Sequence, residues 1–277
     1  MENGRVVFLA KVENYTQLDL LDAHAYSSEY DPVTNQANPL AHKTNAFCSE
    51  GIFLADGSLI SVGGKAPLTS IDPTIGNGFT AIRYLTRSAT DASLDSRDWN
   101  EPGNNLSTAR WCASAQIMPD GTIFVASGSL NGLDPSVAAN NNPTFKILDL
   151  QGIRDGQSVP MDILEHNQPY YMYPFMHLLS DSSLFVFVSK STKLFNIASQ
   201  NTTGTFPNLP SMYRTSPIPG APFCFPCQVK TIGNQISLSA VVAHIKTLLH
   251  PLNLRAVASG PYQQMQHGNL RACPKVA

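Results

Sequence analysis

One β-hairpin recurs three times along the chain, and this repeat restricts the fold more than any other feature of the sequence. Each copy has an apolar strand, a turn containing aspartate, and a second strand rich in β-branched or aromatic residues. Asp-Gly between two such strands is a strong hairpin signal and predicts a type I′ turn, with positive φ at both central residues. The copies are Gly51–Gly64, Ala115–Gly128 and Met176–Ser189.

The spacing of the three turns indicates the blades of a β-propeller. Asp56 and Asp120 are 64 residues apart, and Asp120 and Asp181 are 61 residues apart. Such units are a little longer than kelch blades, which have about 50 residues. Three unrelated hairpins in a β-sandwich are the alternative. We expect an all-β, incomplete, kelch-like propeller of about three to four blades, followed by an irregular C-terminal tail.

Equivalent positions of the repeat carry two cysteines and a tyrosine. Cys48, Cys112 and Tyr173 each lie eight residues before the aspartate of their turn. Equivalent positions on neighbouring blades face the central channel together, so we expect Cys48 and Cys112 to approach each other. A disulfide between them is excluded if their Cα atoms are more than about 7 Å apart. The alternative is that each cysteine is a small buried hydrophobic residue.

The distribution of charge divides the chain near residue 220. Residues 1–220 carry 13 basic and 20 acidic residues, whereas residues 221–277 carry five basic residues and no acidic one. The overall net charge of -2 argues against a strongly basic nucleic-acid-binding protein. No apolar run is long enough to predict a transmembrane helix, and the acidic N-terminus predicts no signal peptide. The sequons at Asn14, Asn105 and Asn201 fit either chance or an extracellular protein.

Seven motifs follow one another in the first 217 residues: Asn3–Asn14, Thr44–Ser49, Asp56–Gly64, Ala109–Cys112, Pro119–Ser129, Tyr171–Phe175 and Tyr213–Pro217. In this order they resemble the copper radical oxidases of the glyoxal oxidase and galactose oxidase type. The similarity is strongest to fungal glyoxal oxidase-like members, which are secreted.

This resemblance implies a seven-bladed propeller that holds one copper ion. It also implies a radical cofactor made of a cysteine and a tyrosine, joined by a thioether across adjacent blades. That tyrosine, a second tyrosine and two histidines hold the copper, and imidazole and phenolate ligands suit Cu(II). The implied reaction oxidises an aldehyde or primary alcohol and reduces O₂ to H₂O₂, with copper and the tyrosyl radical each accepting one electron.

The implied site carries over to this sequence only in part. Cys48 matches the crosslinking cysteine, but Cys112 stands after Arg110 and Trp111 where the family has the radical tyrosine. A thiol cannot host a tyrosyl radical. The second tyrosine and both histidines belong to the C-terminal half of the family's propeller. Four other histidines match none of these ligands and are expected to be ordinary surface or core residues: His24, His42, His166 and His177.

The resemblance is expected to end at Pro217, and residues 221–277 to be an off-family tail. Residues 240–246 fit the family segment Cys-Gly-Gly-Gly-Pro-Tyr-Gln when its codons are displaced by one base. We therefore predict that the reading frame slips near residues 218–222, which explains the absence of acidic residues from the tail. The codons of the transcript test this hypothesis.

The tail also contains a spacing that approximates a zinc finger. Cys224 and Cys227 are followed by His244 and His250, although the interval between the two pairs is a little long. The cysteine pair alone is also the spacing of a redox motif, but no thioredoxin-like βαβ pattern accompanies it.

Three functions remain open at this point: an aldehyde-oxidising copper enzyme, a non-catalytic degenerate fragment, or a propeller that serves as an interaction scaffold. The replacement at Cys112 favours a chain that is inactive and binds no copper. The family implies a small aldehyde or alcohol substrate and an extracellular location. We expect no nucleic-acid or membrane partner, and some aggregation through the exposed edge strands of an open propeller.

Overall fold

The computed structural model describes residues 1–13, 18–20, 23–132, 134–153, 156–209 and 213, together with four short strands between residues 230 and 256. The chain forms two compact units, Met1–Ala221 and Pro222–Ala277. Four sheets of three or four antiparallel strands make up the described part of the first unit. The prediction of an all-β chain forming part of a propeller is therefore confirmed.

The first two sheets have three strands each. Sheet 1 has the order β1-β4-β5, and sheet 2 has the order β6-β7-β8. Their strands are β1 (Val6–Leu9), β4 (Ser27–Asp31), β5 (Gln36–Pro39), β6 (Glu50–Phe53), β7 (Leu59–Val62) and β8 (Ile82–Leu85). A small hairpin of β2 (Asp19–Leu20) and β3 (Ala23–His24) lies between β1 and β4 in the sequence.

The third and fourth sheets have four strands each, in sequence order across the sheet. The third contains β9 (Ser114–Ile117), β10 (Ile123–Ala126), β11 (Thr144–Leu148) and β12 (Val159–Pro160). The fourth contains β13 (Phe175–Leu178), β14 (Leu184–Val188), β15 (Ser191–Asn196) and β16 (Asn201–Phe206). Helical structure in the described residues is limited to α1 (Asp162–Glu165) and the 3₁₀ turns Ala92–Leu94 and Ala138–Asn140.

The second strand of each repeated hairpin is buried because it lies inside its sheet. All five residues of β14, an uninterrupted run of leucine, phenylalanine and valine, are buried, as expected for a strand covered on both faces. Between the third and fourth sheets, Phe124, Phe145 and Phe195 pack together with ring centroids 4.8–5.8 Å apart. The hydrophobic core of the first unit thus lies between successive sheets, as in a propeller.

The three repeated turns have one geometry, and it is not the predicted type I′ turn. In the second copy Met118 N–H donates to the Thr122 carbonyl, Gly121 N–H donates to the Met118 carbonyl, and Asp120 Oδ1 accepts from Thr122 N–H at 3.0 Å. Positive φ occurs at the residue after each aspartate and not at the aspartate itself. Each loop therefore has three residues, a type I turn followed by one left-handed residue. The same bonds recur at Asp56 and Asp181.

The first strands of sheets 2, 3 and 4 contact one another in succession, β6 with β9 and β9 with β13. This arrangement places the residues that precede these strands close together. At the far end of the unit, β1 is an edge strand whose Val6 and Phe8 are 45% and 53% exposed. Association through this edge stays a prediction.

The described residues of the second unit form two short antiparallel hairpins rather than wholly irregular chain. These pair β17 (Lys230–Ile232) with β18 (Gln235–Ser237), and β19 (Val241–Val242) with β20 (Arg255–Ala256). The zinc-finger spacing at Cys224, Cys227, His244 and His250 lies outside the described residues, as does the sequon asparagine Asn14. Among the helices that the structure describes, none has the length and apolar character needed to cross a membrane.

Candidate functional site

Cys48, Cys112 and Tyr173 lie side by side, linked from blade to blade by their own backbones. The Cys112 N–H donates to the Cys48 carbonyl at 3.1 Å, and the Tyr173 N–H donates to the Cys112 carbonyl at 2.9 Å. All three residues have left-handed backbone conformations, with φ of 58°, 62° and 49°. Positive φ is uncommon for residues other than glycine. Its occurrence at the same position of all three copies shows that the blades share one backbone conformation there. The juxtaposition expected from the sequence repeat is therefore present.

The side chains of the three residues belong to one apolar cluster. Trp111 and Tyr171 are fully buried, and Cys112 is 5% exposed. Cys48 is half-buried. Neither cysteine forms a disulfide, so both have free thiols. The remaining members of this cluster are Phe47, Phe79, Met172 and Tyr173. Cys112 is thus sheltered from solvent while Cys48 is in part accessible.

The two thiols have opposite acid–base character because they share hydrogen bonds. Hydrogen bonding from the Cys112 thiol, aided by the Tyr173 hydroxyl, outweighs burial and lowers the pKa of Cys48 to about 6. The same bond, together with burial, raises the pKa of Cys112. Burial, followed by the charges of the two sulfurs, raises the pKa of Tyr173. The arrangement therefore favours a Cys48 thiolate beside a protonated Cys112 and a protonated Tyr173.

Lys65 and Trp111 complete the surroundings of the Cys48 sulfur. The Lys65 Nζ lies 5.8 Å from the centroid of the Phe47 ring and 5.5 Å from that of Trp111, within cation–π range. The buried Trp111 Nε1–H makes no hydrogen bond of ordinary length within the described chain. Trp111 and the charge of Lys65 both help to lower the pKa of Cys48. Neither residue was indicated by the sequence repeat.

Arg110 fixes the segment that presents Cys112. Its buried guanidinium donates to the carbonyls of Ser127 and Thr144 at 2.7 and 2.9 Å, and to the Thr144 hydroxyl at 2.8 Å. These bonds attach residue 110 to β10 and β11 of its own sheet. Asn142 Nδ2 adds a bond to the carbonyl of Ala109 at 2.9 Å. The backbone before Trp111 is therefore held from within the third sheet.

Glu50, two residues after Cys48, is a carboxyl group that forms no ion pair with the other residues that the structure describes. Burial raises its pKa to about 7, above its value in the unfolded chain. The folded state therefore binds the proton more tightly, so we expect stability to fall as pH rises from about 4.5 through 7. Between pH 5 and pH 8, the free energy of unfolding of Glu50→Gln should fall by about 1–2 kcal/mol less than that of wild type, allowing for partial solvent screening. Urea unfolding of both proteins at the two pH values measures this difference.

The matched control for this prediction is Glu165→Gln, because Glu165 is an exposed glutamate of α1. Its substitution should leave the difference in stability between pH 5 and pH 8 unchanged. Equal pH profiles for wild type and Glu50→Gln would show that Glu50 is solvated in the folded state.

The four histidines that the structure describes do not join the cluster around Cys112. His24 is exposed beside Asp19, and His166 is exposed at the end of α1. His177 is half-buried on β13. His42 is buried, and desolvation lowers its pKa. It lies instead in a cavity near Tyr26 and Asp72.

Comparison with known proteins identifies the family of this chain. Residues 10–242 match the family described as glyoxal oxidase N-terminus. The chain belongs to the glyoxal oxidase N-terminal family. The match continues past Pro217, where the resemblance was expected to end. The off-family tail at residues 221–277 and the frame slip near residues 218–222 stay predictions, which the codons of the transcript test.

Two plant proteins are among the relatives of this glyoxal oxidase family member. Aldehyde oxidase GLOX of Vitis pseudoreticulata is 29% identical over 204 residues, covering 72% of this chain and 34% of the relative. Aldehyde oxidase GLOX1 of Arabidopsis thaliana is 29% identical over 199 residues, covering 71% and 28%. The chain thus spans about a third of the length of these relatives.

A solved structure shares the fold of this family member. It is a fungal alcohol oxidase of the AA5 family in complex with copper, which superposes with a TM-score of 0.52 at 16% sequence identity. The superposition covers 94% of this chain and 53% of the oxidase. The chain is the N-terminal region of a copper radical oxidase relative, and its sheets are propeller blades.

The residues around Cys112 do not fit the copper ion that the family implies. No group of three or more histidine, cysteine or carboxylate side chains able to hold a metal occurs in the part of the chain that the structure describes. The cluster itself offers two thiols, one thioether and two phenols, without an imidazole, and Lys65 adds a positive charge. Cu(II) favours nitrogen and oxygen ligands in a tetragonal arrangement, so we derive no copper chemistry for these residues.

Proposed function

We propose that this chain is a non-catalytic relative of the copper radical oxidases and does not oxidise aldehydes or alcohols at the Cys48–Cys112 position. One observation carries the proposal: the residue that lies against Cys48 on the next blade is a cysteine, Cys112, and not a tyrosine. A thioether radical cofactor needs a phenol ring at that place, and a thiol supplies none.

The geometry supports the view that Cys112 occupies the position of the family's radical tyrosine. The crosslink implied by the resemblance joins adjacent blades, and Cys48 and Cys112 are neighbours across adjacent blades. Tyr173 is close, but it lies one blade further on and hydrogen-bonds through its backbone to Cys112. The family's substrates, small aldehydes or primary alcohols, and its extracellular location belong to this proposal as properties of active relatives.

The proposal is tested by loading the purified chain with Cu(II) and measuring peroxide formed from methylglyoxal in air. We expect no copper-dependent turnover by the wild-type chain, with aldehyde oxidase GLOX of Vitis pseudoreticulata assayed in parallel as the active relative. Copper-dependent peroxide that scales with methylglyoxal, or a radical absorption band, would overturn the proposal.

A matched variant separates enzymatic turnover from copper–thiol chemistry. Copper bound to thiols forms peroxide without any aldehyde, so each assay is repeated without methylglyoxal and with Cys112→Ser. If peroxide depends on Cys112 and not on aldehyde, it comes from thiol oxidation. If it depends on aldehyde in both proteins, the chain is an oxidase whose active site lies elsewhere.

A further inference from the structure

Two free thiols lie next to each other on adjacent blades. The bond lengths on either side of one N–H···O=C hydrogen bond keep the two Cα atoms within about 6.5 Å, and disulfides span about 4.4–6.8 Å. Cys48 and Cys112 share such a bond at 3.1 Å. Both side chains also belong to one apolar cluster, and each alters the pKa of the other. A disulfide between them is therefore within the reach of the two backbones.

The surroundings give the two thiols different roles. Cys48 is the more accessible sulfur, and the Cys112 thiol, Tyr173 hydroxyl, Trp111 N–H and Lys65 charge all stabilise its thiolate. Thiolates, not thiols, are the nucleophiles of cysteine chemistry. Cys112 is buried and retains its proton, so it is protected from direct oxidation but lies against the Cys48 sulfur.

We propose that Cys48 and Cys112 form a peroxide-sensitive dithiol, in which a hydroperoxide oxidises Cys48 and Cys112 then closes a disulfide between two blades. This inference goes beyond the proposed function and does not depend on it, because it uses neither copper nor an aldehyde.

Two steps account for the atoms and electrons. The Cys48 thiolate attacks the hydroperoxide, so that a sulfur–oxygen bond forms, the oxygen–oxygen bond breaks, and the released alkoxide or hydroxide takes up a proton. Cys48 loses two electrons and becomes a sulfenic acid. The Cys112 sulfur then attacks Cys48, forming the disulfide, while the sulfenic oxygen leaves as water with the Cys112 proton. An external thiol reverses the modification by exchange.

The test is peptide mapping of the full wild-type chain after treatment with about one equivalent of hydrogen peroxide. Trypsin places the two cysteines in separate peptides, residues 44–65 and residues 111–146, and the tail cysteines in others. We expect these two peptides to be joined, with the loss of two hydrogen atoms, and to separate again on treatment with dithiothreitol. A reagent that traps sulfenic acids should label Cys48 in Cys112→Ser and leave Cys112 unlabelled in Cys48→Ser.

A matched pair of lysine variants tests the contribution of the surroundings. Lys65→Met, whose first cysteine peptide extends over residues 44–83 because trypsin no longer cuts at residue 65, should slow the joining of Cys48 to Cys112. Lys190→Met should not, because Lys190 makes its cation–π contact with Tyr213. Oxidation of Cys48 to a sulfinic acid without joining, or its joining to a tail cysteine, would overturn the proposal. If a serine variant fails to fold, the wild-type map alone decides between these outcomes. Copper-dependent aldehyde oxidation would overturn the proposed function and leave this result unaffected.

Discussion

Replacing Arg87 with methionine is expected to lower the free energy of unfolding of the first unit by about 3–5 kcal/mol. The side chains of Arg87 and Glu29 are both 0% exposed, and Arg87 Nε donates to Glu29 Oε1 at 2.7 Å. Without the Arg87 guanidinium, Glu29 keeps Asn3 Nδ2 and Ser96 N–H as close donors and the longer ion pair with Arg5 at 3.7 Å. Removing the shorter, fully buried partner leaves most of the desolvation penalty of Glu29 uncompensated.

Urea unfolding of wild type, Arg87→Met and the double variant Glu29→Gln/Arg87→Met measures this effect. The double variant should recover part of the loss, because it also removes the buried carboxylate charge that has lost its shortest ion pair. Lys11→Met is the surface control, since Lys11 is 47% exposed in its pair with Glu13 and exposed pairs contribute about 0.2–1 kcal/mol. A loss for Arg87→Met no greater than that for Lys11→Met would contradict a desolvated ion pair.

The second large effect is expected from Gly63→Ala, at the contact between sheet 2 and the segment before Cys112. Gly63 has a φ of 73°, and a Cβ atom there would lie 2.1 Å from the backbone oxygen of Arg110. Backbone atoms held in place by the third sheet cannot move aside easily. We expect a loss of about 3 kcal/mol, the sum of left-handed strain and steric overlap.

Gly103→Ala is the matched control, because Gly103 also has positive φ, 94°, but a Cβ atom there would meet nothing within 4 Å. Its loss should be about 1 kcal/mol, which is the strain alone. Thermal unfolding of both variants separates strain from overlap. Equal losses of stability for the two variants would show that the close approach of Gly63 to Arg110 does not affect the free energy of unfolding. Gly63→Ala should also reduce the yield of the joined Cys48 and Cys112 peptides, because it displaces residue 110.

Part of the candidate site could be predicted from the repeat in the sequence. The common offset of Cys48, Cys112 and Tyr173 from their turns placed these residues together, and the structure joins their backbones in the same order. The offset did not single out Lys65 or Trp111, although Lys190 and Met172 lie at the equivalent positions of the third copy. The effect of Lys65 and Trp111 on Cys48 depends on distance and burial, and no local pattern encodes either quantity.

The Asp-Gly signal correctly predicted the positions of the hairpin turns but not the turn type. Asp56 and Asp120 do mark hairpin turns, but each loop has three residues instead of two. Asp-Gly suits both kinds of turn, since glycine accepts the left-handed conformation in either. The choice is made by the register of the flanking strands, which pairs Phe53 with Leu59 and Ile117 with Ile123.

The sequence alone determined the hairpins, their spacing as propeller blades, the resemblance to copper radical oxidases and the presence of Cys112 where a tyrosine was expected. These features depend on residues close together in the chain or on their order. Tertiary structure alone decided that Cys48 is the more exposed of the two cysteines, that Arg87 pairs with Glu29, and that Glu50 forms no ion pair with the other described residues. The reason is physical: the charge state of a buried group depends on the donors and charges that neighbouring blades bring to it, and these come from distant parts of the chain.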